Sequence, residues 1–216
     1  MVSAVAVIIG ARRLAQAHAN LVSIFGRLGQ PEKARQHYRA AVEVDPNLPE
    51  IHYNFGVLLL SQRRLNDAAA AFQRALEIKP NYRLARFHLA HLLLQRRQND
   101  EAIYQLEQTL TPEDAQTPRF MYSLAGAYAQ SGDLPSARRY LQEARQRAAS
   151  FGQAELVAEI DRALRSIRPA ADLSGPKLYA IPTLRPRWPV AEPAAASIRS
   201  RGVRRGSATP TARRSP

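Results

Sequence analysis

Residues 49–82 read PEIHYNFGVLLLSQRRLNDAAAAFQRALEIKPNY. In the first half, apolar residues recur with the period of an amphipathic helix, which predicts a helix over residues 49–61. These apolar residues are Ile51, Phe55, Leu58 and Leu59. Gln62-Arg63-Arg64 then predicts a turn, and a second apolar stripe predicts a helix over residues 65–78. Pro80 follows that helix, where a proline cannot continue it, so the stretch is predicted to be a helix–turn–helix unit.

The unit recurs along the chain at a nearly constant interval. The residues Ala34, Ala68, Ala102 and Ala137 are separated by 34, 34 and 35 positions. A large residue follows each alanine by four positions, and a small residue comes three positions later. The pairs are Tyr38 and Ala41, Phe72 and Ala75, Leu106 and Thr109, and Leu141 and Ala144. A fixed period of this length is typical of stacked helical repeats, in which each unit buries its apolar face against its neighbours.

In its period and marker residues, the sequence resembles the tetratricopeptide repeat. The second repeat carries the family pattern best, with Gly56 at the small eighth position, followed by Leu59, Ala68, Phe72, Ala75 and Pro80. Counted in the same way, the repeats span residues 15–48, 49–82, 83–117 and 118–149. The resemblance implies an all-α fold, a right-handed superhelical solenoid of about four helix–turn–helix repeats whose first helices line a concave surface.

Three segments flank the repeats. Residues 1–14 begin with an apolar run that lacks a preceding basic region, so a signal peptide is disfavoured. We expect an apolar helix packed on the first repeat, or the remnant of an upstream repeat. Residues 150–167 carry one more amphipathic pattern and are predicted to be a capping helix. Residues 168–216 contain eight prolines without a helical period, which predicts a disordered Arg/Pro-rich tail.

The positive charge of the chain is concentrated in this tail. Residues 1–167 hold 21 Lys and Arg with 16 Asp and Glu, whereas residues 168–216 hold 10 and 2. A basic disordered tail can neutralise phosphates without sequence preference, so nucleic-acid binding through the tail is an alternative function. The chain has no cysteine, which excludes disulfides and thiolate metal sites. We predict a cytoplasmic location, with periplasmic or secreted locations left open.

The resemblance implies that positions five, six and nine of each repeat face the concave surface. Asn20 and Asn54 share position six of the first two repeats. An asparagine amide offers a donor and an acceptor, which suits it to bind the backbone of an extended peptide. The pair resembles the asparagine ladder in the repeat region of O-linked N-acetylglucosamine transferases. His88 and Ser123 occupy the same position in the later repeats and interrupt the ladder. The alternative is that the asparagines are merely solvated.

An aromatic row is formed by Tyr53, Phe87 and Tyr122, which share position five. Aromatic side chains on a concave surface supply large apolar area and are frequent at binding hot spots. The alternative is that they pack against the adjacent second helix. The predicted partner contacts on the concave face are Asn20, Tyr53, Asn54, Phe87, His88, His91 and Tyr122.

The sequence predicts no catalytic residue, cofactor or metal. His88 and His91 lie three apart on one helix, but no third ligand accompanies them. The run Gly26-Arg27-Leu28-Gly29 is an inter-helix turn and not a nucleotide-binding loop. We therefore predict a non-enzymatic scaffold, without a membrane span, that binds a peptide or helix of a partner protein in the concave groove. A binding fragment of a larger repeat-containing enzyme or secretion component is a further alternative, and the sequence leaves the oligomeric state open.

Overall fold

The computed structural model of this chain describes residues 4–167, and the regular structure in that range is helical throughout. The helices within it are α1 Ala4–Arg27, α2 Pro31–Val44, α3 Pro49–Ser61, α4 Leu65–Ile78, α5 Arg83–Gln95, α6 Asn99–Glu107, α7 Thr117–Ser131, α8 Leu134–Ser150 and α9 Ala154–Ser166. Helices α1 to α8 pair in order into four repeats, so the predicted all-α helical-repeat solenoid is confirmed. The predicted tail, residues 168–216, lies outside the described residues.

Helix starts coincide with residues that suit the first turn of a helix. Prolines occupy one of the first two positions of four helices, namely Pro31, Pro49, Pro118 and Pro135. The missing N–H of a proline is harmless there, because the first turn has no intrahelical acceptor for it. Before α8, the Asp133 carboxylate accepts a hydrogen bond from the Ser136 backbone N–H at 3.0 Å, which caps the helix.

The turn between the two helices is the same in all four repeats. In each turn a backbone N–H donates to the carbonyl five residues earlier at 2.9–3.0 Å, from Gln30 to Phe25, Arg64 to Leu59, Gln98 to Leu93 and Asp133 to Tyr128. The residue before each donor has a positive φ, 67° at Gly29, 58° at Arg63, 59° at Arg97 and 94° at Gly132. Glycine adopts this conformation freely, whereas other residues pay about 1–2 kcal/mol. Two turns therefore hold an arginine where glycine would be favoured.

The periodic small residues lie where the two helices of a repeat meet. The four alanines that define the period, Ala34, Ala68, Ala102 and Ala137, are fully buried. The approach is closest at Gly56, where an added Cβ would lie 2.6 Å from Cε1 of the Phe72 ring. Two heavy atoms cannot be that close without a shift, so this position requires glycine. The eighth position of the second repeat is thus fixed by contact between α3 and α4.

Arg83 holds the irregular connection between the third and fourth repeats. Its Nε donates to the Thr109 carbonyl at 2.6 Å, its Nη1 to the Asp114 carboxylate at 2.6 Å and its Nη2 to the Thr117 hydroxyl at 3.0 Å. The guanidinium also lies over the ring of Phe120, 4.7 Å from its centroid. A single side chain, 12% exposed, therefore links α5 to the connecting segment and to α7.

The first helix extends beyond its partner. Helix α1 has 24 residues and α2 has 14, so the start of α1 continues past the helix against which it packs. Apolar side chains near that start are exposed, namely Val7, Ile8, Ile9 and Leu14. These four side chains do not pack on the first repeat, and the alternative for residues 1–14, a remnant of an upstream repeat, stays a prediction. Between residues 4 and 167, no helix has both the length and the apolar character needed to cross a bilayer.

Helix α9 covers the open side of the fourth repeat. Its buried residues Leu156 and Ile160, together with Ile167, belong to one core cluster with Leu141 and Ala144 of α8. The amphipathic pattern of residues 150–167 corresponds to this helix, whose polar side chains point to solvent. An apolar end of the repeat stack is thereby removed from water.

Gly56→Ala should destabilise the fold, although alanine favours helix more than glycine does. We expect the free energy of unfolding to fall by about 1–2 kcal/mol, because the clash with Phe72 outweighs the gain in helix propensity. Urea unfolding followed by circular dichroism measures the change. Gly10→Ala is the matched control, since its Cβ would meet nothing within 4 Å and should leave stability unchanged or raised. Equal behaviour of the two variants would contradict the close approach.

Arg83→Met should also weaken the fold, by about 2 kcal/mol, because the apolar stem is kept while three hydrogen bonds from a charged group are lost. The same urea titration tests this expectation. Arg145→Met serves as the control, because Arg145 pairs with Asp161 at an exposed position where an ion pair contributes little. A loss at Arg83 no larger than at Arg145 would show that Arg83 does not hold the connection.

Candidate functional site

The side chains at position six connect neighbouring first helices. Asn54 Nδ2 on α3 donates to the Ala19 carbonyl on α1 at 2.7 Å. His88 Nε2 on α5 lies 3.2 Å from the Tyr53 hydroxyl on α3, in hydrogen-bond contact. In the next step the Ser123 hydroxyl on α7 lies 3.3 Å from His91 Nε2 on α5. Each first helix is thus tied to the one before it, and the first helices stay in register.

The aromatic residues at position five pack beneath the next repeat. The Tyr53 ring lies 5.7 Å from the His88 ring of the following repeat and 5.9 Å from the Phe72 ring of its own second helix. The Phe87 ring lies 5.2 Å from the Phe120 ring of the following repeat. Only 9% of Tyr53 and 5% of Phe87 is exposed. These two aromatic rings are therefore parts of the contact between repeats.

Tyr122, the third aromatic residue of the row, is half-buried beside the last helix. It packs against the core cluster shared by α8 and α9. Burial raises the pKa of its hydroxyl, and Glu159 of α9 raises it further, while Arg162 and Arg119 oppose the shift. Tyr122 thus stays neutral at physiological pH and keeps part of its ring at the surface.

The structure divides the seven predicted contact residues by their exposure. Tyr53, Phe87 and His88 are buried, whereas Asn54, His91 and Tyr122 are half-buried. Asn20 is exposed and accepts a hydrogen bond from Gln16 Nε2 of its own helix at 3.2 Å. Whether any of them contacts a partner stays a prediction, and the first three offer a partner little surface.

Sequence reasoning placed Val57 on the inner side of α3 but did not select it as a contact. It is an aliphatic side chain with 37% exposure, at position nine of the second repeat, one helical turn after Tyr53. Its repeat position, nine of the second repeat, was the available signal. We define the inner row as Val57 together with the four predicted contacts that have surface exposure: Asn20, Asn54, His91 and Tyr122.

The imidazoles beneath and within the inner row are uncharged at neutral pH. Burial, with a contribution from the charge of His91, lowers the pKa of His88 to about 3. Burial also lowers the pKa of His91 to about 4. The His88 ring stacks on the Phe72 ring with centroids 5.3 Å apart, an apolar contact that disfavours a charged imidazole. The inner row consequently presents polar and apolar groups without a formal charge.

The repeats match a known family. A model of the tetratricopeptide repeat matches residues 19–83, and a second model of the same repeat matches residues 59–120. Together the two matches span residues 19–120, from the later part of α1 to the start of α7. No curated protein matches the chain.

Several solved structures are similar to this chain. A crystal structure of MamA is 22% identical, covers 64% of this chain and 81% of that chain, and has a TM-score of 0.58. The pilF protein of Pseudomonas aeruginosa is 22% identical, with 72% of this chain and 77% of that chain covered and a TM-score of 0.53. PilW, described as a widely conserved type IV pilus biogenesis factor, is 23% identical, with 70% and 77% covered and a TM-score of 0.53. At these identities the likeness shows a shared fold alone.

The buried imidazole of His88 should make the fold less stable in mild acid. An unfolded histidine binds a proton near its ordinary pKa of 6.5, whereas folded His88 binds one only near pH 3, so stability is lost as pH falls below 6.5. Between pH 7.5 and 5.0, we expect His88 alone to remove about 2 kcal/mol from the free energy of unfolding. Urea titrations at the two pH values measure this loss.

The contribution of His88 is isolated by comparing two variants. His88→Phe should remove about half of the loss on acidification, because His91, with a pKa of about 4, contributes a similar share. Tyr53→Phe removes the same hydrogen bond but keeps the imidazole, so it should retain the full loss. If His88→Phe loses as much stability on acidification as the wild type, His88 is not the buried neutral group inferred from its surroundings.

Proposed function

Because this chain is a tetratricopeptide repeat protein, we propose that it is a non-catalytic scaffold that binds a segment of a partner polypeptide along its inner row. Proteins of this architecture expose an extended surface on which one partner segment can contact several repeats. The proposed contacts are the five residues of the inner row, while Tyr53, Phe87 and His88 position them from below.

The observation that carries this proposal is that the inner row is held in place before any partner arrives. Asn54 bonds to Ala19 across two helices, and His91 contacts Ser123 across the next pair. A surface whose side chains are already ordered loses little conformational entropy on binding. Such a surface supports recognition of one segment in one register.

The chemistry of the inner row favours a partner segment that is uncharged. Val57 and the exposed part of Tyr122 offer apolar area, and neutral His91 adds no charge. Asn54 uses its Nδ2 for Ala19, so its Oδ1 is the atom that suits a backbone N–H of the partner. Asn20, exposed on α1, has an amide that can both donate and accept. The proposed ligand is therefore an extended segment with small apolar and polar side chains.

A single charge placed in the inner row tests the proposal. Val57→Arg puts a charge at a position that is 37% exposed and leaves the buried core intact. Tyr104→Arg is the matched control, because Tyr104 is 56% exposed on a second helix. Protein recovered from source lysate by the wild type and by Tyr104→Arg, but not by Val57→Arg, identifies the partner. Its purified form should then bind Val57→Arg at least about tenfold more weakly by calorimetry, since a desolvated charge opposes an apolar contact.

The alternatives give different results in the same experiment. If the recovered protein binds Val57→Arg as tightly as the wild type, the inner row is not the binding surface. If recovery is lost on nuclease treatment for every variant, binding passes through nucleic acid. Circular dichroism of each variant separates loss of binding from loss of fold.

A further inference from the structure

Arg63 and Arg97 share an unusual position in two consecutive repeats. They are 34 residues apart and have positive φ angles of 58° and 59°, in turns whose counterparts in the first and fourth repeats are Gly29 and Gly132. A glycine at either position would adopt the same turn without steric opposition. The geometry of the turn therefore does not explain why these two positions hold arginine. Residues with a strained backbone of this kind are often found at functional sites.

Hydrogen bonds between repeats show that these turns lie along one edge. Arg96 Nη2, in the third turn, donates to Asn66 Oδ1 beside the second turn at 2.6 Å. Arg35 Nη2 of the first repeat donates to Gln62 Oε1 of the second turn at 2.9 Å. We define the turn edge as residues 62–64 and 96–98.

The two strained arginines differ from their neighbours in having available guanidinium groups. Arg64 forms an ion pair with Asp67 at 2.6 Å, and Arg96 donates a hydrogen bond to Asn66. Among residues 4–167, the guanidinium groups of Arg63 and Arg97 take part in no hydrogen bond or ion pair, and both side chains are exposed. Their backbone N–H groups donate within the turns, from Arg63 to the Leu60 carbonyl at 3.0 Å and from Arg97 to the Leu94 carbonyl at 3.1 Å.

We propose that the turn edge binds an acidic segment of a partner polypeptide, with Arg63 and Arg97 each taking one carboxylate. A guanidinium binds a carboxylate through two parallel N–H donors, which gives geometric specificity as well as attraction. The Arg96 side chain reaches Asn66 beside the second turn, which places the two turns roughly one helix spacing apart, on the order of 10 Å. Acidic residues about three positions apart in an extended segment match this spacing.

A polypeptide suits this edge better than a nucleic acid does. Two arginines can take two carboxylates, whereas binding to a nucleic-acid backbone draws its affinity from many phosphate contacts along the strand. Acidic side chains also lie close to the edge, since Asp67 follows the second turn and Asp100 and Glu101 follow the third. A continuous phosphate backbone would meet these carboxylates, while a short acidic segment can avoid them.

The proposal is tested with the full chain and a fluorescein-labelled peptide of glutamate and glycine, with glutamate at every third position. Arg63→Gly/Arg97→Gly should raise the Kd of this peptide about fivefold or more in fluorescence anisotropy at low salt, since each exposed pair contributes modestly. Arg63→Lys/Arg97→Lys keeps the charge and should stay within about twofold of the wild type. The glycine variant should melt at a temperature equal to or above that of the wild type, so weaker binding is not a result of unfolding.

A matched control removes the same charge elsewhere. Arg39→Gln/Arg74→Gln alters two exposed arginines on the second helices of adjacent repeats and should change the Kd less than about twofold. Val57→Arg, in the inner row, should not weaken peptide binding, which keeps this test separate from that of the inner row.

Three results would overturn the proposal. The first is an equal Kd for the wild type and the glycine variant. The second is an equal loss in the glycine variant and in the Arg39 and Arg74 control, which would mean that net charge alone attracts the peptide. The third is a glycine variant that loses binding to a single-stranded oligonucleotide but not to the glutamate peptide, which would assign the edge to nucleic acid.

Discussion

The close contact between the two helices of a repeat is the constraint on which the rest of the structure depends. Gly56 brings α3 so near the Phe72 ring that a Cβ would not fit, and Ala68 and Ala75 on the facing helix are fully buried. Because equivalent small residues recur at nearly equal intervals, each helix pair has much the same form. Successive first helices then come within hydrogen-bonding reach of one another, which is why the side chain at position six bonds to the preceding first helix three times, each time with a different partner group.

Packing between repeats buries much of the face formed by the first helices. Tyr53 and Phe87 fill the spaces between repeats, and His88 can be buried with them because it remains neutral. The surface left over consists of smaller and partly exposed groups without formal charge. Its ability to recognise a partner therefore rests on shape and hydrogen bonding more than on electrostatic attraction.

The ends of the first helices provide a surface of a different kind. At the turns, arginine side chains reach solvent without losing their hydration, so charge can be concentrated there at little cost. The turn geometry itself comes from the repeat, since Arg63 and Arg97 adopt the conformation that Gly29 and Gly132 adopt in the other repeats. Packing of the two helices thus overrides the local preference of the residue that joins them. One architecture yields an uncharged inner row and a basic edge.

The sequence alone determined the helical-repeat fold, because a repeat shows itself in the spacing of residues along the chain. The helix contacts are marked by four alanines at nearly equal intervals, Ala34, Ala68, Ala102 and Ala137. It also located the candidate site on the first helices, through the repeat position of Asn54 and its counterparts. Only the tertiary structure decided which of those residues reach the surface, since the burial of Tyr53 and Phe87 depends on how closely the next repeat approaches. The distance between neighbouring repeats is set by many side chains on separate helices. It therefore cannot be predicted from the sequence next to either aromatic residue.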